Sequence, residues 1–372
     1  MNKSKSILAF VCFVIGISSS PAESQTTPLR VSCNLPLSGD LSVYGTAIEE
    51  GVRFYQESLA KNIQDKVVFD WQDNAGNGVK TLSAAKMQLA SKPDIYVSGV
   101  KPQYMVIEDV LVQRTNIPNF AWVFDSFLRA KNKNNFRTWV NFKSEADLFL
   151  KYIGQKKNIK KVAIVHVITP TVVEQQNAII LPALGKLGLT DSLVVPYQID
   201  QLDFKSIALK VKSFKPDQIF LSGFQHNMSP LIRSFRALSL IKEDNTVATY
   251  DLLDAISLMR VEELEGIRFT MPAFLLNLDE KMEDWKSRFR LRFKKDPLYT
   301  HVYAHEMATI LYDLAERHDQ DSSKSIFELL SSTSKDGLIG KLAFDQDGDL
   351  YTEVTYGMFK NGRLINSEHN DF

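Results

Sequence analysis

The stretch that decides the fold is residues 29–51, LRVSCNLPLSGDLSVYGTAIEEG. Apolar side chains alternate with smaller or polar ones from Leu29 to Leu37, which predicts a β-strand. The Pro-Leu-Ser-Gly-Asp sequence that follows predicts a loop, because proline and glycine break regular structure. A buried strand therefore leads directly into a short polar connection.

A helix is expected immediately after this loop. Thr46 and Glu49 have the spacing of a capping box, so we predict that the helix begins at Ala47, with Tyr44 and Gly45 on the loop before it. A helix N-terminus presents unpaired N–H groups and a partial positive charge, which suits a polar ligand. An ordinary βα turn without a ligand explains the same residues.

The rest of the chain repeats this unit. Predicted strands alternate with predicted helices through four units, and the pattern restarts near Lys161, which indicates parallel sheets covered by helices in two similar lobes. The predicted strands are 67–71, 94–98, 117–123, 136–142 (strand or crossover), 161–167, 192–197, 218–222, 246–250, 341–344 and 352–360. The predicted helices are 81–89, 106–112, 144–153, 170–187, 204–214, 229–238, 280–294, 302–317 and 326–330.

Composition and charge are those of an ordinary globular protein. The chain has 372 residues, 44% of them hydrophobic and 24% charged, with a formal net charge of +0. A length above one ordinary domain agrees with two lobes. The neutral balance gives no support for nucleic acid as a partner.

The N-terminus has the pattern of a secretory signal. Lys3 and Lys5 precede an apolar run over 7–17, and the small residues Ala22 and Ser24 then have the spacing of a cleavage site. We therefore predict a signal peptide at 1–24 and export to the periplasm, with a retained membrane anchor as the alternative. Cys33 is then the single cysteine of the exported chain, and its place in a strand predicts a buried thiol.

The sequence lacks the common motifs for catalysis, cofactors and metals. No G-x-S-x-G, G-x-G-x-x-G or phosphate-binding loop occurs, and His301 and His305 have no third ligand nearby in sequence. We therefore predict no metal, no cofactor and no enzymatic activity. Two lobes facing each other instead predict a ligand cleft at the carboxyl ends of their strands.

Short motifs along the chain carry a family resemblance. They are Leu35-Pro36-Leu37-Ser38-Gly39, Tyr44-Gly45, Asp73-Asn74, Ser98-Gly99, Ile117-Pro118, Phe136-Arg137-Thr138, Asp203-Phe204, Lys215-Pro216-Asp217 and Gly340-Lys341-Leu342-Ala343-Phe344-Asp345. With these motifs in this order, the chain resembles the periplasmic branched-chain amino-acid-binding proteins of ABC importers. These are type I periplasmic binding proteins. The resemblance implies an α/β fold of two Rossmann-like lobes joined by three crossovers. It also implies lobe boundaries, with 25–141 and 271–339 in the N-terminal lobe and 142–270 and 340–372 in the C-terminal lobe.

The resemblance further implies where the ligand binds. In the family, the first lobe holds the ligand's carboxylate and an acid on the second lobe holds its ammonium group. The matching positions here are Tyr44, Gln103, Tyr104, Phe124 and Asp125 in the first lobe, and Thr171, Phe224, Gln225 and Asp251 in the second.

Two of these positions have an alternative structural explanation. Asp251 follows a strand, where it either pairs with an ammonium group or caps the next helix. Tyr44 is either a ligand contact or a packed loop aromatic.

The family's small hydroxyl residues are replaced here by Gln103, Tyr104 and Phe124, and Asp125 would repel a ligand carboxylate. An amino acid, an amide and an aromatic acid all remain candidate ligands.

The function that the resemblance implies is solute binding for transport. We expect a monomeric receptor that closes on a small polar ligand and delivers it to a membrane permease. One alternative is a ligand sensor of the same fold that signals to a partner. The other is an extracytoplasmic hydrolase using carboxylates such as Asp125 and Asp251, although no nucleophile–base pair is visible.

Overall fold

The computed structural model describes residues 27–100, 102–123, 132–276 and 279–367. Its first sheet has five parallel strands in the order β2-β1-β3-β4-β5. The strands are β1 Leu29–Leu35, β2 Val67–Asp73, β3 Ile95–Gly99, β4 Asn119–Trp122 and β5 Asn135–Phe136. The predicted signal peptide and its cleavage site lie outside the described residues.

Helices cover both faces of this sheet. Those that follow its strands are α1 Ser42–Glu57, α2 Lys61–Gln64, α3 Gly78–Ala90 and α4 Pro102–Gln113. Three more come from late in the chain, α12 Glu280–Phe293, α13 Tyr299–Gln320 and α14 Ile326–Ser331. The apolar faces of α1, α12, α13 and α14 pack with the strands into one large core, whose burial of apolar surface stabilises this part of the molecule.

The second sheet has seven strands in the order β14-β13-β10-β9-β8-β6-β7. The five strands from β10 to β7 are parallel, whereas β13 is antiparallel to both β10 and β14. The strands are β6 Lys161–Val167, β7 Asp191–Tyr197, β8 Gln218–Ser222, β9 Thr246–Ala248, β10 Ile267–Pro272, β13 Val354–Lys360 and β14 Arg363–Asn366. The two remaining strands, β11 Lys335–Asp336 and β12 Lys341–Leu342, form a separate small sheet.

A second group of helices covers this sheet, with a separate apolar core on each of its faces. The helices are α5 Phe142–Gln155, α6 Pro170–Gln175, α7 Leu181–Lys186, α8 Lys205–Phe214, α9 Gln225–Ala237, α10 Asp251–Ala255 and α11 Val261–Leu264. A π-helical turn, Gln176–Ile180, joins α6 to α7, and 3-10 turns occupy Ile256–Leu258 and Ala273–Leu275. The predicted α/β fold with two helix-covered lobes is confirmed.

The chain passes between the two lobes three times. The passages lie between β5 and α5, between β10 and α12, and between β12 and β13. Within the described residues this order matches three crossovers, while the residue at which each lobe begins and ends stays a prediction.

A buried ion pair ties the first passage to the third. The Arg137 guanidinium donates to Asp349 at 2.7 Å and to the Val123 carbonyl at 3.2 Å. Asn141 also donates to the Asp349 carboxylate, at 2.9 Å. The Arg137 side chain is 1% exposed and the Asp349 side chain is 12% exposed. Because the pair is shielded from water, it fixes the two passages against each other.

The first helix begins earlier than the capping box predicted. Helix α1 starts at Ser42, and its N-cap residue Leu41 makes no side-chain cap bond. The Thr46 hydroxyl donates to the Ser42 carbonyl at 2.6 Å, inside the helix. The prediction of a start at Ala47 was therefore wrong, and it placed Tyr44 and Gly45 on a loop when they lie in the first turn.

A carboxylate from the neighbouring strand explains this early start. Asp73 accepts from the Leu37 and Ser38 backbone N–H groups at 2.9 and 3.1 Å and from the Ser38 hydroxyl at 2.6 Å. Burial raises its pKa, but these hydrogen bonds outweigh that effect and hold the pKa below the usual value. The loop is thus fixed from outside, and helix α1 can begin without a cap of its own.

Gly45 allows α1 to approach β1 closely. A Cβ atom at this position would lie 2.0 Å from the Pro36 carbonyl oxygen, which is backbone and has no rotamer to change. Any larger residue would push the first turn of α1, and Tyr44 with it, away from the strand.

Gly45→Ala is therefore expected to lower the free energy of unfolding by about 1–3 kcal/mol, the usual cost of overpacking. Urea denaturation of the ligand-free protein measures it. Gly185→Ala is the matched control, because Gly185 is also helical and a Cβ atom there would meet no other atom within 4 Å. The control is expected to be neutral or slightly stabilising. Equal stability of the two variants would contradict the close contact.

Candidate functional site

A cavity of about 400 Å³ lies where the carboxyl ends of strands from both sheets meet. Val100 follows β3, Trp122 ends β4, and Phe224 and Tyr250 follow β8 and β9. Residues of both lobes thus line one cavity. It lies at the carboxyl ends of the strands, where open parallel sheets bind their ligands. The remaining lining residues are Asp40, Leu41, Tyr44, Val123, Trp139, Ile199, Gln225, His226, Asp251, Asp254 and Tyr299.

Five aromatic residues form a continuous wall of the cavity. We call Tyr44, Trp122, Trp139, Tyr250 and Tyr299 the aromatic cluster. Trp139 is at its centre, with ring centroids 5.1 Å from Trp122, 6.0 Å from Tyr44 and 6.2 Å from Tyr299. Tyr250 packs edge-to-face on Tyr299 at 5.9 Å. Such tilted and edge-on contacts are favourable between aromatic rings, so they stabilise this wall of the cavity.

The two tryptophans keep an unused hydrogen-bond donor. The indole N–H groups of Trp122 and Trp139 are buried and have no partner among the described residues. A buried donor without a partner is costly, at about 1–3 kcal/mol. An acceptor atom of a ligand or of an ordered water molecule would satisfy each of them.

Asp251 is a carboxyl group of the cavity with a strongly raised pKa. It is the first residue of α10, whose N-cap residue Tyr250 makes no side-chain cap bond, and it accepts from the Thr249 hydroxyl at 2.7 Å. Burial, and then the negative charge of Glu145, raise the pKa of Asp251 well above its ordinary value. The structure therefore shows Asp251 facing the cavity without serving as a helix cap.

Asp254 joins the two lobes across the cavity. Its carboxylate accepts from the Tyr44 hydroxyl at 2.7 Å and from the Tyr299 hydroxyl at 3.2 Å. The Gln225 side chain donates to the Asp254 carbonyl at 2.7 Å. Burial raises the pKa of Asp254 to about 6, although both tyrosine hydrogen bonds act to lower it. Tyr44 and Asp254 belong to different lobes, so their hydrogen bond exists only when the lobes are close.

A third carboxyl group, Glu145, lies behind the cavity wall. It accepts from the Tyr250 backbone N–H at 2.7 Å and from the Thr270 hydroxyl. Thr270 belongs to β10, which leads into the second passage between the lobes, so Glu145 connects the cavity wall to that passage. Burial raises the pKa of Glu145 to about 7.

This raised pKa predicts how stability changes with pH. A glutamate titrates near 4.3 in the unfolded chain and near 7 here, so the folded state binds the proton more tightly. The stabilisation that the proton on Glu145 gives to the folded state is complete below pH of about 4. It is lost as the pH rises to about 7. The thermal midpoint should therefore fall over this range. Glu145→Gln keeps an acceptor oxygen and should reduce the accompanying fall in the free energy of unfolding by on the order of 2 kcal/mol, whereas an unchanged pH profile would contradict the assignment.

The comparisons with known proteins agree with this geometry. A model of the periplasmic binding protein family matches residues 28–362. The chain belongs to this family. No curated protein has a significantly similar sequence.

Several solved structures share the fold of this periplasmic binding protein. A leucine-binding protein from Thermotoga maritima is 17% identical with a TM-score of 0.76, covering 92% of this chain and 100% of that one. A branched-chain amino acid binding protein from Streptococcus pneumoniae in complex with isoleucine is 16% identical with a TM-score of 0.73, covering 91% and 98%. A solute-binding protein from R. palustris in complex with benzoate has 16% identity and the same score of 0.73, covering 92% and 96%. Identities this low show the fold alone.

Four of the nine predicted site residues line the cavity of this periplasmic binding protein. They are Tyr44, Phe224, Gln225 and Asp251. Gln103 and Tyr104 lie in the first turn of α4 and Thr171 lies in the first turn of α6, but their side chains are outside the described part of the chain. Phe124 and Asp125 are outside it entirely. The structure thus brings the described candidates together, and their role in binding stays a prediction.

Of the five residues in the aromatic cluster, only Tyr44 was predicted as a site residue from the sequence. Tyr250 is the last residue of one predicted strand and Trp122 is the last but one of another, so their position alone could have identified them. Asp254 is three residues after Asp251 on one helix, a spacing that places both on one face. Tyr299 precedes the helix predicted at 302–317 and is the first residue of α13, and no local signal connects it to the cavity.

The lining also limits the chemistry of the site. Its described residues include no serine, threonine, cysteine or lysine that could act as a nucleophile. Within the described ranges, no group of three or more histidine, cysteine, aspartate or glutamate residues could hold a metal ion. Among the same residues, no helix has the length and apolar character needed to cross a lipid bilayer.

Proposed function

We propose that the protein is the solute receptor of an ABC importer and closes its two lobes on a small polar ligand. The hydrogen bond between Tyr44 and Asp254 carries this proposal, because it joins the lobes directly over a cavity of ligand size. The S. pneumoniae relative is named as a transporter's substrate-binding protein, and the R. palustris relative comes from an ABC transporter.

The cellular setting follows from the same proposal. The signal peptide at 1–24 directs the chain to the periplasm, where it is released after Ser24 and acts as a monomer. The loaded receptor then docks on a membrane permease. The proposed lobe boundaries lie near 141/142, 270/271 and 339/340. The second falls within β10 and the third falls between β11 and β12, so each of these two lies a few residues before the corresponding passage.

Asp251 supports a ligand that carries an amino group. Its carboxyl group faces the cavity, and among the described side chains only the Thr249 hydroxyl donates to it. An ammonium group would stabilise its ionised form through a charge-assisted hydrogen bond. An amino acid and related amides meet this condition, whereas an aromatic acid such as benzoate does not.

A thermal-shift screen of the exported chain, residues 25–372, tests the proposed function. The panel contains amino acids, amides, amines, aromatic acids and small sugars. A ligand present at about 100 times its dissociation constant stabilises the folded state by about 2.7 kcal/mol, which is readily measured. Saturable stabilisation by one chemical class is the expected result. A protein that responds to no member of the panel would contradict solute binding.

A further inference from the structure

The aromatic cluster has the properties of a site for positive charge. The faces of aromatic rings carry partial negative charge, and tryptophan and tyrosine rings attract cations most strongly when water is excluded. Here two tryptophans and three tyrosines surround one cavity, and Trp122, Trp139, Tyr250 and Tyr299 are each at most 7% exposed.

The charged residues of the lining also favour a positively charged ligand. Asp40, Asp251 and Asp254 contribute carboxyl groups, and the described lining contains no lysine or arginine to balance them. Asp251 and Asp254 lie on one helix three residues apart, and Glu145 adds a further acid behind the wall. In its ionised form, each of these groups would attract a cation in the cavity.

A ligand carboxylate would find little to bind in the described lining. No serine or threonine hydroxyl and no basic side chain other than His226 lies there, and His226 already bonds to the Ile199 carbonyl at 2.7 Å. The two indole N–H groups are neutral donors, so they can bind a hydroxyl or carbonyl oxygen without compensating a negative charge.

We propose that the cavity selects a small organic cation, a quaternary ammonium compound or an alkylamine, and that no carboxylate is needed for binding. The cation lies against the aromatic cluster beside Asp251 and Asp254, and any polar oxygen of the ligand accepts from the indole N–H groups. This inference rests on the proposed function and names the ligand class of the same site.

Protonation gives the proposal a second readout. In the free protein, burial raises the pKa of Asp254 to about 6 and that of Asp251 above its ordinary value. The titratable groups that face the pair are Tyr44, Tyr197, Tyr250, Tyr299 and Glu145. A bound cation favours the ionised carboxylates, so binding releases protons and the affinity for a cation rises with pH through about 6. An uncharged ligand has no such dependence.

Isothermal titration calorimetry with three matched probes tests the inference. The probes are choline, its uncharged carbon analogue with a tert-butyl group in place of the trimethylammonium group, and glycine betaine, which keeps the trimethylammonium group and has a carboxylate in place of the hydroxymethyl group. The carboxylated probe is included because residues 101 and 124–131 lie outside the described ranges. Choline is expected to bind at least about tenfold tighter than either other probe, with an affinity that rises from pH of about 5 to 7.

Each other outcome overturns the inference. Equal affinity for choline and its uncharged analogue would show that shape, not charge, is selected. Tighter binding of glycine betaine, or thermal stabilisation only by acids or amino acids, would show that a carboxylate is required. Both results leave solute binding intact, whereas no response to any probe or panel member overturns the inference and the proposed function together.

Variants at the centre of the cluster separate charge recognition from packing. Trp139→Leu removes the aromatic face and should abolish the preference for choline over its uncharged analogue. Trp139→Phe restores a ring at the same position and should recover most of that preference. A preference that is the same in both variants would contradict a role for the aromatic face.

Discussion

Asp251→Asn is expected to weaken binding of the amine that gives the largest thermal shift by about 2–5 kcal/mol, or about 30-fold to several thousandfold in the dissociation constant. The ligand's ammonium group would lose a partly buried carboxylate partner and keep its full cost of desolvation. The substitution preserves the shape of the side chain and leaves an acceptor for the Thr249 hydroxyl. Calorimetry with the wild type and the variant gives the difference directly.

Stability and affinity should change in opposite directions in this variant. Burial disfavours the charge on Asp251, so a neutral amide there should leave the ligand-free protein as stable as the wild type or more so. Asp40→Asn is the matched control, since Asp40 also lines the cavity but is exposed at its mouth. We expect it to cost less than about 1 kcal/mol in affinity. If the two variants bind the amine equally well, Asp251 is not the anchor.

The second large effect is expected at the ion pair between the passages. Arg137→Met should lower the free energy of unfolding by about 3–5 kcal/mol, because it leaves the buried Asp349 carboxylate without its charged partner. Urea denaturation near neutral pH measures this loss. Burial already raises the pKa of Asp349 despite Arg137, so the loss should shrink at acid pH, where Asp349 is neutral.

Two further variants show whether burial is the cause. Lys143→Met removes the cation of an exposed pair with Asp147 and should cost less than about 1 kcal/mol. Combining Arg137→Met with Asp349→Leu removes both charges and should recover much of the stability lost by the single change. A loss in Arg137→Met no larger than in Lys143→Met would contradict the structural role of the pair.

Local pattern was sufficient for most of the fold. Strands β6 and β8 were predicted at their observed bounds, since each is a short apolar segment between polar connections. The predicted burial of the Cys33 thiol is confirmed, since this residue is 0% exposed. These features depend only on neighbours in sequence, so the sequence was enough to find them.

Strand β10 shows where local pattern fails. Ile267–Pro272 contains Arg268, which is buried and paired with Asp244 and the Ser367 carbonyl, so the segment does not have the pattern of a core strand. Its antiparallel partner, β13, is also distant in sequence. The start of α1 was misplaced for a similar reason, because Asp73 from another strand fixes the loop before it.

Dependence on residues distant in sequence also explains why much of the site was not predicted. The ends of strands were predictable, and with them Phe224, Gln225 and Asp251. The contact of Tyr299 with Asp254, and the packing of Trp139 against Trp122 and Tyr44, depend on how the passages bring the lobes together. No segment of the sequence contains that information alone.

Small-angle X-ray scattering is the most direct test of closure on a ligand. The exported chain is measured without ligand and with saturating amounts of the solute that gives the largest thermal shift. The hydrogen bond between Tyr44 and Asp254 requires the lobes to be close, so the loaded protein should have the smaller radius of gyration. Identical scattering profiles with and without that solute would contradict closure of the two lobes.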